Sequence, residues 1–146
     1  MFYKPKYFQV TELVDEETYK RFGETALRFF NPLALQGLDN LREFIGEPLI
    51  VNNWANGGEY QFSGFRPKWC NVGATYSQHR LGQAFDIKTK KTPVEDVYHN
   101  IISNSNSPLL EHLTEMEDIE YTGKGASPWL HVAFTNIPDR IKIIKP

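Results

Sequence analysis

The stretch from Ser77 to Asp86 decides how this chain is interpreted, and it reads Ser-Gln-His-Arg-Leu-Gly-Gln-Ala-Phe-Asp. It places His79 and Asp86 seven residues apart, with a glycine between them. The residues after the glycine alternate in the manner of a strand, because Phe85 and Ile87 are large and apolar and would share one face. Asp86 is therefore expected on the opposite face, beside a small alanine that leaves space for a ligand.

A second stretch, Trp129-Leu130-His131-Val132-Ala133-Phe134, follows the same alternation. Its even-numbered residues are large and apolar and are expected to face the core, so His131 projects from the other face. Gly82 permits a sharp turn that folds His79 back over this face. Two imidazoles and one carboxylate are three of the four ligands of a catalytic zinc site, whose remaining position holds water. If His79, Asp86 and His131 converge, they can bind one Zn²⁺ ion and leave a position open for water, and the protein is then a hydrolase.

Each of these residues also has an ordinary structural interpretation. A single histidine in a strand is more often packed or exposed than bound to metal, and an aspartate near a glycine usually belongs to a turn. Spacing and strand parity alone leave these alternatives open. The other two histidines, His99 and His112, lie on predicted helices among polar neighbours and are expected at the surface.

Composition restricts the class of protein. The 146 residues are 40% hydrophobic and 23% charged, which is enough for one domain with its own core. A net charge of −2 argues against nucleic acid as a partner. No apolar run is long enough to span a membrane, and residues 1–6 do not resemble a signal peptide. Cys70 is the single cysteine, which excludes an internal disulfide.

Helix start and stop signals divide the first half of the chain. Asp15-Glu16-Glu17-Thr18 places acids at the start of a helix, and Asn31-Pro32 begins a second helix that Gly46 ends. Residues 48–54 are predicted as a strand, and residues 55–78 as a loop rich in glycine, serine and asparagine. Loops of that length usually serve a functional site.

The second half alternates strands with short helices. Residues 84–88 are predicted as a strand, and Thr92-Pro93-Val94-Glu95 as a capping box that starts a helix. Ser107-Pro108 starts another short helix. Residues 119–122 and 129–134 are predicted as the two arms of a hairpin, and residues 140–145 as an edge strand. This order predicts an α+β fold with a small, mainly antiparallel sheet and flanking helices.

The two stretches together resemble a known family. The pattern Ser77-x-His79-x-x-Gly82-x-Ala84-x-Asp86, followed by Trp129-x-His131, is similar to that of one particular family of zinc peptidases. This family comprises D-alanyl-D-alanine carboxypeptidases, D-Ala-D-Ala dipeptidases and phage L-alanyl-D-glutamate endolysins, and the Hedgehog signalling domain shares its fold. Upstream, Ser63-Gly64-Phe65-Arg66 and Asn71-Val72-Gly73 extend the resemblance, which covers roughly residues 33–134. It implies a Hedgehog/DD-peptidase-like fold for residues 1–146, as a single zinc peptidase-like domain, with His79, Asp86 and His131 as the zinc ligands.

The resemblance also implies an activity and further site residues. Members use metal-activated water to hydrolyse peptidoglycan stem peptides at a bond involving a D-amino acid, either as carboxypeptidases or as endopeptidases. Arg66 is expected to hold a substrate carboxylate or to stabilise the oxyanion. Ser77 is expected to contact the substrate or to orient the His79 loop, and Trp129 to form a wall of the substrate groove. The protein would act as a monomer on the bacterial cell wall. A phage enzyme, released at lysis or carried on the virion, would fit this expectation.

The general base is where the chain departs from the family pattern. The family often places a glutamate three residues before the last histidine, where this chain has Pro128. Some short members place the acid on the preceding strand of the hairpin, which makes Glu120 the predicted base for the attacking water. Glu117 and Asp118 lie further from the predicted hairpin and are weaker alternatives.

Pro128 also keeps other functions open. One alternative is a zinc-containing module of the same fold that binds a partner without catalysis. Another is a domain in which zinc only stabilises the fold, or which holds no metal at all.

Overall fold

The computed structural model describes residues 3–135 and 141–146. The helices are α1 (Glu16–Phe22), α2 (Pro32–Ile45), α3 (Val94–Ser103) and α4 (Ile119–Thr122). The strands are β1 (Leu49–Ile50), β2 (Ala84–Thr89), β3 (Glu115–Glu117), β4 (Leu130–Ala133) and β5 (Lys142–Ile144). Short 3₁₀ turns lie at Val10–Glu12, Gly23–Phe29, Trp54–Asn56 and Pro108–Leu110.

These strands form one sheet in the order β1-β2-β4-β3-β5. All neighbours are antiparallel except β3 and β5, which run parallel. The predicted α+β class and the mainly antiparallel sheet are therefore confirmed. Within the described part of the chain, no helix combines the length and the apolar character needed to cross a membrane.

Side-chain caps place the first two helices where the sequence predicted them. The Asp15 carboxylate accepts the backbone N–H of Thr18 at 3.0 Å, and Asn31 caps α2 by accepting the N–H of Leu33. Gly46 ends α2 in the left-handed conformation, with φ of 78°. The predicted strand over residues 48–54 is shorter than expected, because the chain leaves the sheet after Ile50.

Two local predictions in the second half are wrong. The capping box before α3 does not form, because the Thr92 hydroxyl donates to the Glu47 carboxylate at 2.7 Å and leaves Pro93 as the cap. Residues 119–122 are helical, because Asp118 accepts the N–H of Glu120 and caps a single turn. The strand that pairs with β4 lies just before that cap, at Glu115–Glu117. The predicted edge strand is present as β5, and its first predicted residue, Arg140, lies outside the described residues.

The apolar face of the sheet packs against α2 and leaves the opposite face for polar residues. The core side chains that β2 and β4 contribute are fully buried, and they are Phe85, Ile87, Leu130 and Val132. At Gly37 of α2, a Cβ atom would lie 2.3 Å from the ring of Phe134, so the missing side chain lets the helix approach the end of β4. The predicted core faces of both strands are therefore confirmed, and Asp86 and His131 lie on the other face.

The turn at Gly82 is the point where close packing sets the position of His79. Gly82 has φ of 65°, and a Cβ atom there would lie 2.1 Å from the carbonyl oxygen of Phe29. We predict that Gly82→Ala lowers the free energy of unfolding by about 2–4 kcal/mol, because strain and a backbone clash add. Urea denaturation measures this loss.

Gly57→Ala is the matched control for that prediction. Gly57 also has a positive φ, 83°, but a Cβ atom added there would have no heavy atom within 4 Å. Gly57→Ala should lower the free energy of unfolding by only about 1 kcal/mol, the cost of a positive φ for an alanine. Equal losses in the two variants would show that the approach of Gly82 to Phe29 does not matter.

Candidate metal centre

The antiparallel register of β2 and β4 brings two of the predicted ligands together. Asp86 lies directly opposite His131 across the strand pair, and His131 Nδ1 is 3.0 Å from Asp86 Oδ1. The turn before β2 places His79 above them, with its Nε2 atom 3.2 Å from Asp86 Oδ1 and 3.3 Å from His131 Nδ1. The three predicted ligand atoms therefore form a nearly equilateral triangle.

The size of this triangle fits a small tetrahedral metal ion. Bonds of about 2.0–2.1 Å at the tetrahedral angle separate neighbouring ligand atoms by about 3.3 Å. The observed separations are 3.0, 3.2 and 3.3 Å. Among the described residues, His79, Asp86 and His131 are the group of side chains that could hold a metal ion.

Hydrogen bonding of His79 also favours a cation between the three side chains. Its Nδ1 atom lies 2.9 Å from the carbonyl oxygen of Gly64, which only accepts, so Nδ1 carries the proton. In the neutral ring Nε2 then presents a lone pair to the Asp86 carboxylate. Lone pairs that face one another at this distance repel unless a proton or a metal ion lies between them. A backbone carbonyl on the other ring nitrogen is also the usual way in which a metal-binding histidine is oriented.

Electrostatics keep the aspartate charged inside the site. Burial alone would raise the pKa of the Asp86 carboxyl, but the charge and hydrogen bonds of His79 and His131 outweigh it and hold that pKa well below its usual range. Burial acts in the opposite direction on His131 and would lower its pKa, yet the hydrogen bond and charge of Asp86 raise it. The raised pKa favours a protonated His131 in the metal-free protein, and a metal ion would have to displace that proton.

Arg66 holds the second oxygen of the aspartate. Its Nη2 atom donates to Asp86 Oδ2 at 3.1 Å, while its Nε atom donates to the carbonyl oxygen of Phe62 at 2.8 Å. Oδ1 is thereby left to face the two histidines, and only 11% of the Arg66 side chain is exposed. Arg66 does reach the cavity wall, but its described contacts fix the carboxylate. Its predicted contact with a substrate carboxylate stays a prediction.

A cavity of about 600 Å³ opens in front of the three ligands. Ser77 and Trp129, which the sequence singled out, both line it. The Ser77 hydroxyl also accepts the backbone N–H of His79 at 3.3 Å, so it touches the loop that carries the ligand. Of the remaining histidines, His99 is exposed as predicted, whereas His112 is partly covered.

Arg80 organises the loop around the cavity, and sequence reasoning missed it. Its guanidinium donates to four backbone carbonyls of the loop, those of Pro67, Lys68, Cys70 and Ala74. The residues between Asn56 and β2 form no regular helix or strand, so these bonds supply much of the order of the rim. Backbone carbonyls have no residue identity, and no sequence pattern therefore marks Arg80 for this task.

The acid that the structure places beside the ligands differs from the predicted one. Glu120 lies on α4 with 60% of its side chain exposed, and it pairs with Lys124 one turn later. Its predicted position on a strand opposite His131 is wrong, because residues 119–122 are helical. In the β3–β4 register Met116 lies opposite Val132, so the next pair brings Glu117 opposite His131.

Two acids of β3 face the cavity. Glu115 and Glu117 both line it, and both contribute to the raised pKa of His131. The residue between them, Met116, is fully buried. The alternation of Glu115, Met116 and Glu117 is a strand pattern that the sequence already contains. To see that the strand ends after Glu117, one also has to recognise Asp118 as the cap of α4.

Comparisons with protein-family models, with curated proteins and with solved structures find no match to this chain. Geometry alone therefore marks His79, Asp86 and His131 as a candidate metal site. That geometry rests on three converging donors, on a carbonyl that orients one histidine, and on an arginine that orients the carboxylate.

We predict that the protein binds one zinc ion per chain, and that His131→Ala and Asp86→Asn each lose it after dialysis. Each variant removes one of three protein ligands, and loss of one of three donors weakens binding strongly. Elemental analysis of the dialysed protein measures the metal content. His99→Ala is the matched control, because His99 is exposed and lies outside the cluster. A His131→Ala protein that keeps one ion would exclude this centre.

Zinc affinity should also depend on pH. Below the raised pKa of His131, binding must displace a proton from the imidazole, so affinity falls by up to about tenfold per pH unit as pH decreases. Above that pKa the ring is already neutral and the dependence should flatten. Calorimetric titrations with zinc from pH 5.5 to pH 8 measure the slope. A constant affinity over this range would contradict a role for His131 as a ligand.

Proposed function

We propose that this protein is a zinc peptidase of the Hedgehog/DD-peptidase fold that hydrolyses peptidoglycan stem peptides at a bond involving a D-amino acid. The observation that carries the proposal is the triangle of His79, Asp86 and His131 in a cavity that Glu117 also lines. The substrate class comes from the resemblance of the two sequence stretches to the zinc peptidase family, and the geometry agrees with the ligand set of that family.

Zinc is the metal that suits these donors best. Two imidazole nitrogens and one carboxylate oxygen at tetrahedral spacing form the three-ligand set that catalytic zinc sites share. When bound, the metal would polarise the scissile carbonyl and make a water molecule acidic enough to attack near neutral pH. Arg66 would keep Asp86 in the orientation that leaves only Oδ1 for the metal.

Glu117 is the residue that we assign as general base. It would take a proton from the attacking water while the resulting hydroxide forms a bond to the carbonyl carbon. The carbon–nitrogen bond then breaks, and the proton moves from Glu117 to the leaving amine. Glu117 lies on the same face of the sheet as Asp86 and His131, whereas Glu120 is exposed and neutralised by Lys124. Glu115 lies two residue pairs away along β3, opposite Ala133.

A non-catalytic zinc module of the same fold is the second candidate. Pro128 favours it, because the family often has its glutamate at that position. The position of Glu117 weakens this alternative, since an acid on the neighbouring strand can replace a glutamate in the loop.

We predict that the zinc-loaded protein releases new amino groups from purified peptidoglycan, and that Glu117→Gln lowers this rate by about 100- to 10,000-fold. The variant lacks the proton acceptor but keeps the metal ligands, so its zinc content should not change. Mass spectrometry of the products identifies the bond and separates carboxypeptidase from endopeptidase action.

Two variants serve as controls, Glu115→Gln and Glu120→Gln, and both should stay within about threefold of the native rate. Loss of activity in Glu120→Gln with full activity in Glu117→Gln would restore Glu120 as the base. No release from walls of several stem-peptide types, by a protein that holds zinc, would favour the non-catalytic module.

A further inference from the structure

Residues 67–76 form one wall of the cavity in front of the predicted ligands. Val72, Gly73, Ala74 and Tyr76 all line that cavity. Tyr76 is 91% exposed and Val72 is 44% exposed, so the wall presents apolar and aromatic surface to solvent. Such surface at the edge of a cleft is stabilised when a ligand covers it. The wall is therefore a candidate surface for substrate contacts.

Little within residues 67–76 holds this wall in place. The segment forms no helix or strand. Its own hydrogen bonds are local, such as the bond from the N–H of Cys70 to the carbonyl oxygen of Pro67 at 3.0 Å. Of its large side chains Cys70 is buried, whereas Trp69, Val72 and Tyr76 are exposed, so side-chain packing contributes little. The attachment of the wall to the rest of the fold has to come from outside the segment.

Arg80 supplies that attachment. Its Nη1 atom donates to the carbonyl oxygens of Pro67 and Lys68, each at 3.1 Å. Its Nε atom donates to the carbonyl oxygen of Ala74 at 3.3 Å, and its Nη2 atom donates to that of Cys70. A guanidinium is planar and always charged, and its five N–H groups have fixed directions. One side chain therefore holds both ends of the segment at once.

The wall also lies against the arginine that orients the aspartate. Gly73 has φ of 77°, and a Cβ atom there would lie 2.5 Å from Arg66 Nη1. The missing side chain lets the backbone of the wall approach the guanidinium that donates to Asp86. Arg80 thus holds the wall in a position where it closes over the pair of Arg66 and Asp86.

We propose that Arg80 is a positioning residue for substrate binding, which holds residues 67–76 so that Val72 and Tyr76 contact a peptide lying over the metal. The inference rests on the proposed function and names the surface that would bind its substrate. Within the described chain Arg80 is not among the residues that line the cavity, so it acts through the wall. The neighbouring ligand His79 is oriented by a different carbonyl group. Loss of Arg80 should therefore weaken substrate binding while the metal is kept.

Affinity for a soluble stem peptide tests this role without catalysis. The probes are L-Ala-γ-D-Glu-X-D-Ala-D-Ala peptides with lysine or diaminopimelate at X, and calorimetry measures their Kd in zinc-loaded Glu117→Gln protein. Adding Arg80→Met should raise the Kd of the tighter peptide by about 10- to 100-fold, because the wall loses four hydrogen bonds from a charged donor. With Glu117 intact, Arg80→Met should raise KM by a similar factor and leave kcat within about threefold.

Two substitutions separate the shape of Arg80 from its charge. Arg80→Lys keeps the charge, but a single nitrogen cannot reach four carbonyls, so its Kd should stay close to that of Arg80→Met. Arg42→Met is the matched control, because Arg42 is also partly buried, lies over the Tyr7 ring and is not among the cavity residues. It should bind the peptide as the parent protein does. Full affinity in Arg80→Lys would contradict the assigned role of the guanidinium.

Gly73→Ala disturbs the same wall with Arg80 left intact. Its Cβ atom would press on Arg66, so the Kd should rise. Gly57→Ala, at a positive φ with open space, should leave the Kd unchanged. Zinc content and urea denaturation are measured for every variant.

The outcomes for the wall and for the peptidase are distinct. Unchanged affinity in both Arg80→Met and Gly73→Ala would overturn the proposal, as would loss of zinc from Arg80→Met or a native protein that binds neither peptide. Weaker peptide binding in these variants, without amine release from peptidoglycan by the native protein, would keep the wall and remove the peptidase. Amine release with the native KM in Arg80→Met would keep the peptidase and remove the role of Arg80.

Discussion

The register between β2 and β4 is the constraint on which the site depends. It places Asp86 opposite His131 and, in the same strands, buries Phe85 and Val132 as a core pair on the other face. A shift by one residue would turn the carboxylate into the core and an apolar side chain toward the cavity. Because the core determines the register, burial of the apolar face also holds two ligands at hydrogen-bond distance.

The third ligand depends on a different kind of constraint. His79 lies outside the sheet, and the turn at Gly82 packs its backbone against Phe29 before the chain enters β2. The carbonyl of Gly64 then fixes the orientation of the imidazole ring. Arg66 fixes the orientation of Asp86 in the same way, so two of the three donor side chains have a second hydrogen-bond partner that orients them. This support offsets the cost of bringing three lone-pair donors together before a cation arrives.

Features that depend on residues close together in the sequence, such as strand faces and helix starts, could be predicted from the sequence. Alternation in β2 and β4 predicted which side chains face the core, and the caps at Asp15 and Asn31 predicted where two helices begin. The same reasoning failed at residues 119–122, where an aspartate cap outweighed a strand-like composition. The acid opposite His131 could not be chosen until the strand that pairs with β4 was known. The contacts of Arg66 and Arg80 depend on loops that approach only in the folded chain, so no local pattern reports them.

The order of the strands gives the cavity a direction. β4 lies between β2 and β3, so Glu117 and Asp86 stand on opposite sides of His131. A peptide with its scissile bond over the three predicted ligands would have the Glu117 side chain on the side of β3. The pairing of β4 with both neighbours therefore places two of the predicted metal ligands and the acid beside them on one face of the sheet.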